Sequence, residues 1–202
     1  MKSSQNFNSL WATVKVAIVM LMLSPQVIMA QTYKLNPGKD VLVKVNGTSN
    51  VHDWSMTATG IESQGTFKFN SRDEMIDVTA LKFTVLAKSL KSEKSSMDSR
   101  TYKSINADVF PKINYQLTSA TVTMVQANKY SIQTTGNLTI AGKTQTISMK
   151  VTALVNADHS ISCRGTEKIM LTDYGIEPPS FMLGAMKVGN DLTISFNLNY
   201  IK

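Results

Sequence analysis

Apolar and polar residues alternate along most of this chain, and the alternation is clearest in residues 130–155 and 192–200. A period of two sends one set of side chains to one face of a β-strand. Gly142 divides the first stretch and supplies the glycine that a tight hairpin turn requires. These stretches therefore predict long strands with one apolar face. The apolar set consists of Tyr130, Ile132, Leu138, Ile140, Ile147, Met149, Val151, Ala153, Val155, Leu192, Ile194, Phe196, Leu198 and Tyr200.

Shorter alternating runs fill most of the remaining sequence. The parity of the run that begins at Met75 slips near Ala80, which predicts a β-bulge. Several short strands separated by Gly, Asn and Ser turns are typical of an antiparallel sandwich or barrel, so we predict an all-β fold. The inward-facing set contains no evident charge, and it either fills a solid core or encloses a cavity. The shorter runs lie at residues 41–46, 51–60, 66–70, 75–87 and 113–125.

One segment, residues 95–106, has helical spacing instead, with Met97, Tyr102 and Ile105 on one side. Either of the two serines that open it can cap its start. The Phe-Pro pair that ends at Pro111 predicts its end, because the residue before proline resists the helical region. Such a helix either covers one end of a barrel or packs outside it as a surface crossover, and both interpretations stay open.

A second irregular segment, residues 172–190, separates the last two strands. Pro178 and Pro179 cannot donate hydrogen bonds to a strand neighbour. The segment nevertheless contains several apolar residues, and a long loop of this kind usually covers or lines something. We therefore predict that it lies over the interior of the fold or at its entrance. Its apolar residues include Phe181, Met182, Leu183 and Met186.

Residues 1–30 have the features of a secretory signal peptide. Lys2 and Lys15 precede a short apolar run at residues 16–23, and the segment ends on the small residue Ala30. A membrane helix needs about 20 apolar residues, which is more than this run contains. We therefore predict a signal peptide followed by export to the periplasm or secretion beyond it.

Residues 31–202 have the length of one ordinary domain. Without Lys2 and Lys15, the chain keeps 19 basic and 14 acidic residues, a net charge of +5. Its lysines are scattered rather than clustered, so we expect no nucleic-acid partner and at most peripheral membrane contact. The single cysteine, Cys163, excludes an internal disulfide, and its parity predicts a buried thiol. The sequence does not decide between a monomer and a homodimer.

Candidate catalytic chemistry is sparse. The only histidines are His52 and His159, and no His or Cys pair has the spacing of metal ligands. Neither a nucleophile elbow nor a phosphate-binding glycine loop occurs. His52 and Asp53 are adjacent, so on a strand they point to opposite faces. We expect no enzymatic activity, no metal and no cofactor, and His52 is either structural or a contact for a ligand headgroup.

Two longer strings resemble the YceI-like, polyisoprenoid-binding family of bacterial proteins. They are SLKSEKSSMDSRTYKSINADVFPKINYQL at residues 89–117 and GNLTIAGKTQTISMKV at residues 136–151. The segments VHDW, DYG and PP, which begin at residues 51, 173 and 178, are also similar to those of its members. The resemblance extends over residues 33–202. It implies an exported, antiparallel, lipocalin-like β-barrel of about eight strands, with one inserted helix and a long apolar or amphiphilic chain inside.

Barrels of about eight strands are just wide enough for packed side chains or one small ligand. The leading hypothesis is a carrier, store or scavenger of an isoprenoid or fatty amphiphile. The alternatives are a solid-core module that binds another envelope protein and an enzyme that acts on a lipid through His52. The predicted contacts of the ligand, with His52 as a headgroup contact, are Trp54, Phe67, Phe83, Tyr102, Phe110, Met182 and Met186.

Overall fold

The computed structural model of the protein describes residues 28–38, 41–181 and 183–202. Most of the predicted signal peptide lies outside these residues, so its cleavage stays a prediction. The first strand begins at Met29, and the predicted boundary after Ala30 therefore falls inside it. In chain order the elements are β1 (Met29–Leu35), β2 (Leu42–Ser49), β3 (Trp54–Ala58), β4 (Ile61–Phe69), β5 (Met75–Leu86), β6 (Leu90–Lys91), α1 (Ser95–Ser104), β7 (Lys112–Gln126), β8 (Lys129–Ile140), β9 (Lys143–Val155), β10 (Ile161–Met170), β11 (Ser180–Phe181) and β12 (Met186–Ile201).

Eight strands form a closed antiparallel ring in the order β1, β4, β5, β7, β8, β9, β10 and β12. The ring is closed by β1 and β12, where Lys34 faces Ile201 and Leu35 faces Tyr200. Closure removes the free edges of the sheet, which would otherwise leave a row of backbone groups unpaired. The prediction of an antiparallel barrel of about eight strands with one short inserted helix is confirmed.

Three positions in the wall of this barrel are divided into two segments. Towards one end of the barrel, the positions of β1, β4 and β5 in the wall are occupied by β2, β3 and β6. There, β2 pairs with β12, β3 pairs with β2, and β6 pairs with β3. Two backbone hydrogen bonds cross the breaks: Thr59 N donates to Ser89 O at 3.1 Å and Leu86 N donates to Gly60 O at 2.9 Å. The strand pairing at this end of the wall therefore runs from β12 through β2 and β3 to β6.

The predicted bulge and hairpin are both present. Thr66 faces Ala80 but its neighbour Phe67 faces Val78, so one extra residue stands in β5 where the parity slips. The turn between β8 and β9 has two residues, Ala141 and Gly142, with φ angles of 48° and 76°. Positive φ at both central residues is the conformation that matches the twist of a two-residue hairpin.

The predicted helix forms, but it begins and ends differently from the prediction. Its N-cap is Lys94, and no side chain caps it. Instead, the carboxylate of the buried Asp98 accepts hydrogen bonds from the backbone N and the hydroxyl of Ser92, each at 2.7 Å. Burial would raise the pKa of Asp98, but these bonds and the nearby Lys91 outweigh it and hold that pKa below its usual value. The helix ends at Ser104, so Pro111 does not terminate it.

One end of the barrel, the closed end, is filled by Tyr33, Phe67, Phe69, Tyr130 and Tyr200, all of which are buried. The rings of Tyr33 and Phe67 meet edge to face with centroids 5.4 Å apart, and those of Phe67 and Tyr200 lie 5.9 Å apart. Such pairs add to the stabilisation that burial of their apolar surface provides.

Candidate functional site

A cavity of about 480 Å³ lies in the barrel interior above the closed end. Phe67 and Tyr200 belong both to the closed end and to the floor of the cavity. Its volume is within the range of about 300–1,000 Å³ that is typical of small-molecule sites. The interior is therefore hollow, and the alternative of a completely filled core does not hold. The wall is formed largely by apolar side chains, among them Val43, Val45, Leu81, Phe83, Ile113, Leu117, Ile147, Met149, Ile194 and Phe196.

The helix α1 covers the cavity rather than packing on the outside of the barrel. Met97, Thr101 and Ile105 line the cavity from above. The Thr101 hydroxyl donates to the sulfur of Met56 at 3.3 Å, and this contact ties the helix to β3. Of the two interpretations that the sequence left open, the structure favours the lid.

The irregular segment before β12 completes this cover, as the sequence predicts. Tyr174, Ile176 and Phe181 line the cavity, while Leu183 is fully exposed at the tip of the segment. The Arg100 guanidinium of α1 lies 4.4 Å from the ring centroid of Phe181, a cation–π geometry. We call α1 and residues 171–188 the lid end. Met182, one of the predicted ligand contacts, lies outside the described residues.

Four of the predicted contact residues lie on the cavity wall. They are Trp54, Phe67, Phe83 and Met186. Gly47 makes room for the indole of Trp54, since a Cβ added there would lie 2.2 Å from its ring.

Two predicted contact residues do not line the cavity. The Tyr102 hydroxyl lies 2.9 Å and 2.7 Å from the carbonyl oxygens of Lys88 and Leu90, so this side chain fastens the helix to the barrel wall. Phe110 lies partly exposed against Gly142, where a Cβ would come within 2.5 Å of its ring. Helical spacing predicted a shared face for Tyr102, but it could not show which neighbour that face contacts.

His52 lies at the rim. It borders both the cavity and a polar groove on the outer surface, which also contains Lys44, Asp53 and Asp191. Its side chain is exposed, and Nδ1 lies 2.8 Å from the backbone oxygen of Asp53. Contact of His52 with a headgroup stays a prediction, as does contact of a ligand with any residue of the wall.

The cavity also contains a polar cluster that the sequence analysis missed, formed by Tyr115, Thr134, Glu167 and Tyr174. The expectation of an interior without charge is wrong, because Glu167 shares the inward parity of Cys163 on β10. Burial raises the pKa of its carboxyl. Parity alone would have identified this residue, but a glutamate in a strand is normally assigned to the solvent side.

The hydroxyls of Tyr115 and Tyr174 are buried and make no hydrogen bond. Burial raises the pKa of Tyr174 to about 12, and the charges of Asp173 and Glu167 add to this rise. Burial also raises the pKa of Tyr115, and the charge of Glu167 raises it further. The Thr134 side chain lowers it, although it does not meet the distance and angle of a hydrogen bond to the Tyr115 hydroxyl. The Thr134 hydroxyl itself donates to the Met149 carbonyl at 3.1 Å.

In the part of the chain that the structure describes, no three His, Cys, Asp or Glu side chains could together hold a metal ion. Across residues 28–38, 41–181 and 183–202, no helix has the length and apolar character of a membrane span. Cys163 is buried, as its parity predicts, and burial raises the pKa of its thiol to about 12.

A closed antiparallel barrel with a lidded apolar cavity defines a lipocalin-like class of protein. A family model described as the YceI-like domain matches residues 33–200. The chain therefore belongs to the YceI-like domain family, as the resemblance of its sequence indicated.

Solved structures share this fold at low sequence identity. BcnA of Burkholderia cenocepacia is 19% identical, with a TM-score of 0.62 over 82% of this chain and 98% of its own. A polyisoprenoid binding domain from Saccharophagus degradans is 10% identical, with a TM-score of 0.63 over 83% of this chain and 97% of its own. The YCEI protein of Campylobacter jejuni is 16% identical, with a TM-score of 0.52 over 69% and 81%. A comparison with curated proteins finds no match.

Proposed function

We propose that this protein binds one long-chain lipid, an isoprenoid or another amphiphile, inside its barrel. The observation that carries this proposal is the cavity of about 480 Å³ with its largely apolar wall. Burial of each methylene group of a ligand contributes about 0.8 kcal/mol, so a hydrocarbon chain can bind there with few polar contacts. The name of the Saccharophagus degradans domain, a polyisoprenoid binding domain, supports the same ligand class.

The protein acts as a carrier, store or scavenger rather than as an enzyme. The signal-peptide pattern of residues 1–30 supports export, and we place the protein in the periplasm on that ground. The lid end supports reversible loading, because it covers the cavity through side-chain contacts such as that of Arg100 with Phe181. A ligand can enter between α1 and residues 171–188 when the contact of Arg100 with Phe181 separates.

Native mass spectrometry of the intact protein, purified from a bacterial host, tests this proposal. We expect the spectrum to contain a lipid adduct, and organic extraction to release a long-chain molecule of the same mass. After delipidation, the protein should take up added geranylgeraniol in a one-to-one ratio. An empty protein that takes up no lipid would contradict the proposal.

A pair of variants on β9 separates binding inside the barrel from binding on its surface. Ile147 lines the cavity, whereas Lys150 is exposed on the outer face of the same strand. Ile147→Trp should fill part of the cavity and weaken uptake at least tenfold. Lys150→Trp adds the same ring outside and should leave uptake unchanged. Equal uptake by both variants would place the ligand elsewhere.

A further inference from the structure

Two buried tyrosine hydroxyls in the cavity have no hydrogen-bond partner. Tyr115 is 5% exposed and Tyr174 is 2% exposed, and both line the cavity. Neither Oη atom makes a hydrogen bond. Buried polar groups are nearly always hydrogen-bonded in folded proteins, so these two hydroxyls are available to donate to a molecule that occupies the cavity.

The surroundings hold both tyrosines in place. The ring of Tyr115 lies against Gly136 on β8, where an added Cβ would come within 2.4 Å of the phenol oxygen. Tyr174 ends a short 3₁₀ turn that is fastened to β9, because Gln145 Nε2 donates to the Asp173 carbonyl at 2.6 Å. The ring of Tyr115 and the turn that carries Tyr174 are therefore both held against neighbouring strands.

Glu167 adds a negative charge to the same part of the cavity. Glu167 lines the cavity together with Tyr115 and Tyr174, and its charge contributes to the raised pKa of both phenols. Glu167 forms no ion pair with any Lys, Arg or His in the part of the chain that the structure describes. The cluster therefore offers two O–H donors beside an uncompensated carboxylate.

We propose that Tyr115 and Tyr174 donate hydrogen bonds to an uncharged oxygen of the ligand headgroup, a carbonyl or a hydroxyl, and that Glu167 disfavours phosphate and carboxylate headgroups. A neutral oxygen needs only donors, which the two phenols supply. An anionic headgroup would share the cavity with this carboxylate, and the low polarity of the cavity strengthens the repulsion between them. This inference rests on the proposed function, since it assumes that an amphiphile occupies the cavity.

The test compares three probes with similar chains on the delipidated full-length protein. These are geranylgeraniol, geranylgeranyl monophosphate and phytane, which has no headgroup. Competition followed by native mass spectrometry should show that the alcohol binds at least tenfold more tightly than the monophosphate. Glu167→Gln should reduce this preference at least threefold, because it removes the charge and keeps the shape.

The tyrosine variants test the donors. Tyr115→Phe and Tyr174→Phe should each weaken geranylgeraniol about fivefold, the value of one ordinary hydrogen bond, and leave phytane unchanged. Tyr130→Phe serves as the matched control, because its hydroxyl accepts from Met75 N outside the cavity wall and its loss should not alter the preference between probes. Thermal unfolding of each variant confirms that it is folded before binding is measured.

The outcomes distinguish this inference from the proposed function. Equal or tighter binding of the monophosphate by the wild-type protein overturns the inference, while the proposed function stands. Unchanged geranylgeraniol binding by both tyrosine variants also overturns it. If neither alcohol, monophosphate nor phytane binds, the proposed function fails and the inference fails with it.

Discussion

The closed end and the lid end of the barrel both bury tyrosines, but the hydroxyls differ in whether they form hydrogen bonds. At the closed end, the Tyr130 hydroxyl accepts a hydrogen bond from Met75 N at 3.0 Å and the Tyr200 hydroxyl lies 2.8 Å from that of Ser63. Towards the lid end, the hydroxyls of Tyr115 and Tyr174 are unpaired. The tyrosine hydroxyls at the closed end are therefore paired within the protein, whereas those under the lid are free to donate to a molecule in the cavity.

Packing shows the same difference. Phe69 is 4% exposed and packs near Tyr33 at the closed end, with ring centroids 6.3 Å apart. Phe83 is only partly buried and faces the cavity. Dense packing and open space are thus separated along the axis of the barrel: one end is filled by aromatic side chains, and the other encloses a cavity.

The largest expected effect comes from the closed end. Phe69→Ala should lower the free energy of unfolding by about 3–5 kcal/mol, because it leaves a hole in a packed core. Phe83→Ala, the matched change at the cavity, should cost less than half as much in the ligand-free protein, since a space already adjoins that ring. Urea unfolding of both variants measures the difference, and equal losses would contradict the contrast between the two ends.

Removal of a single tyrosine hydroxyl should have the next largest effect on the free energy of unfolding. The effect should differ between the closed end and the lid end. Tyr130→Phe leaves Met75 N–H buried without an acceptor and should lower the free energy of unfolding by about 1–3 kcal/mol. Tyr174→Phe removes a hydroxyl that has no partner and should leave the ligand-free protein equally or more stable. Thermal unfolding measures both. A comparable loss in Tyr174→Phe would mean that its hydroxyl is satisfied within the protein.

The stability of the fold should fall at alkaline pH because of Cys163, which lies in the wall between the two ends. Burial raises the pKa of the Cys163 thiol to about 12 from an ordinary value of 9.0. Because the folded-state pKa is raised, the stabilisation is complete below pH 9 and is lost as the pH rises towards 12. The slope is at most about 1.4 kcal/mol per pH unit for one group. Urea unfolding at pH 9 and pH 10 should show a smaller fall for Cys163→Ala than for the wild type; equal falls would mean that the thiol ionises as readily in the folded protein.

The smallest effect concerns the lid. Arg100→Met removes the cation–π contact with Phe181, which contributes about 0.5–1 kcal/mol. We expect geranylgeraniol to dissociate about threefold faster, with little change in thermal stability. Lys103→Met changes an exposed residue of the same helix that does not line the cavity, and it should leave the dissociation rate unchanged. An identical rate in both variants would show that Arg100 does not restrain the lid.

The sequence predicted the ring well, because alternation is a local property and a closed sheet uses it in every strand. Residues 130–155 show this, since the side chains of predicted inward parity are those that β8 and β9 bury or partly bury. The bulge near Ala80 and the turn at Gly142 followed from equally local signals. Each could be found without knowledge of which strands are neighbours.

Contacts between distant segments were beyond the same reasoning. Tyr102 was assigned to the interior because its helix has an apolar side, but its hydroxyl contacts backbone carbonyls of the barrel wall. Phe110 was assigned there for its position in the sequence, yet it packs outside against Gly142. Parity places Glu167 on the inward face, but the sequence analysis missed it because a charged residue is usually assigned to the solvent side. That the Tyr115 and Tyr174 hydroxyls lack partners depends on three-dimensional distances, which no local pattern contains.

The divided strands have a mechanical consequence. Only two residue pairs join β3 to β6, Thr57 with Lys91 and Ala58 with Leu90, whereas β8 and β9 remain paired along their whole length. A rim with such short strand pairings can open locally while the closed eight-strand ring below it stays paired. Amide hydrogen exchange should therefore be fast at Ala58 and slow at Ile132. Such local opening would let a ligand pass the rim while the rest of the barrel stays folded.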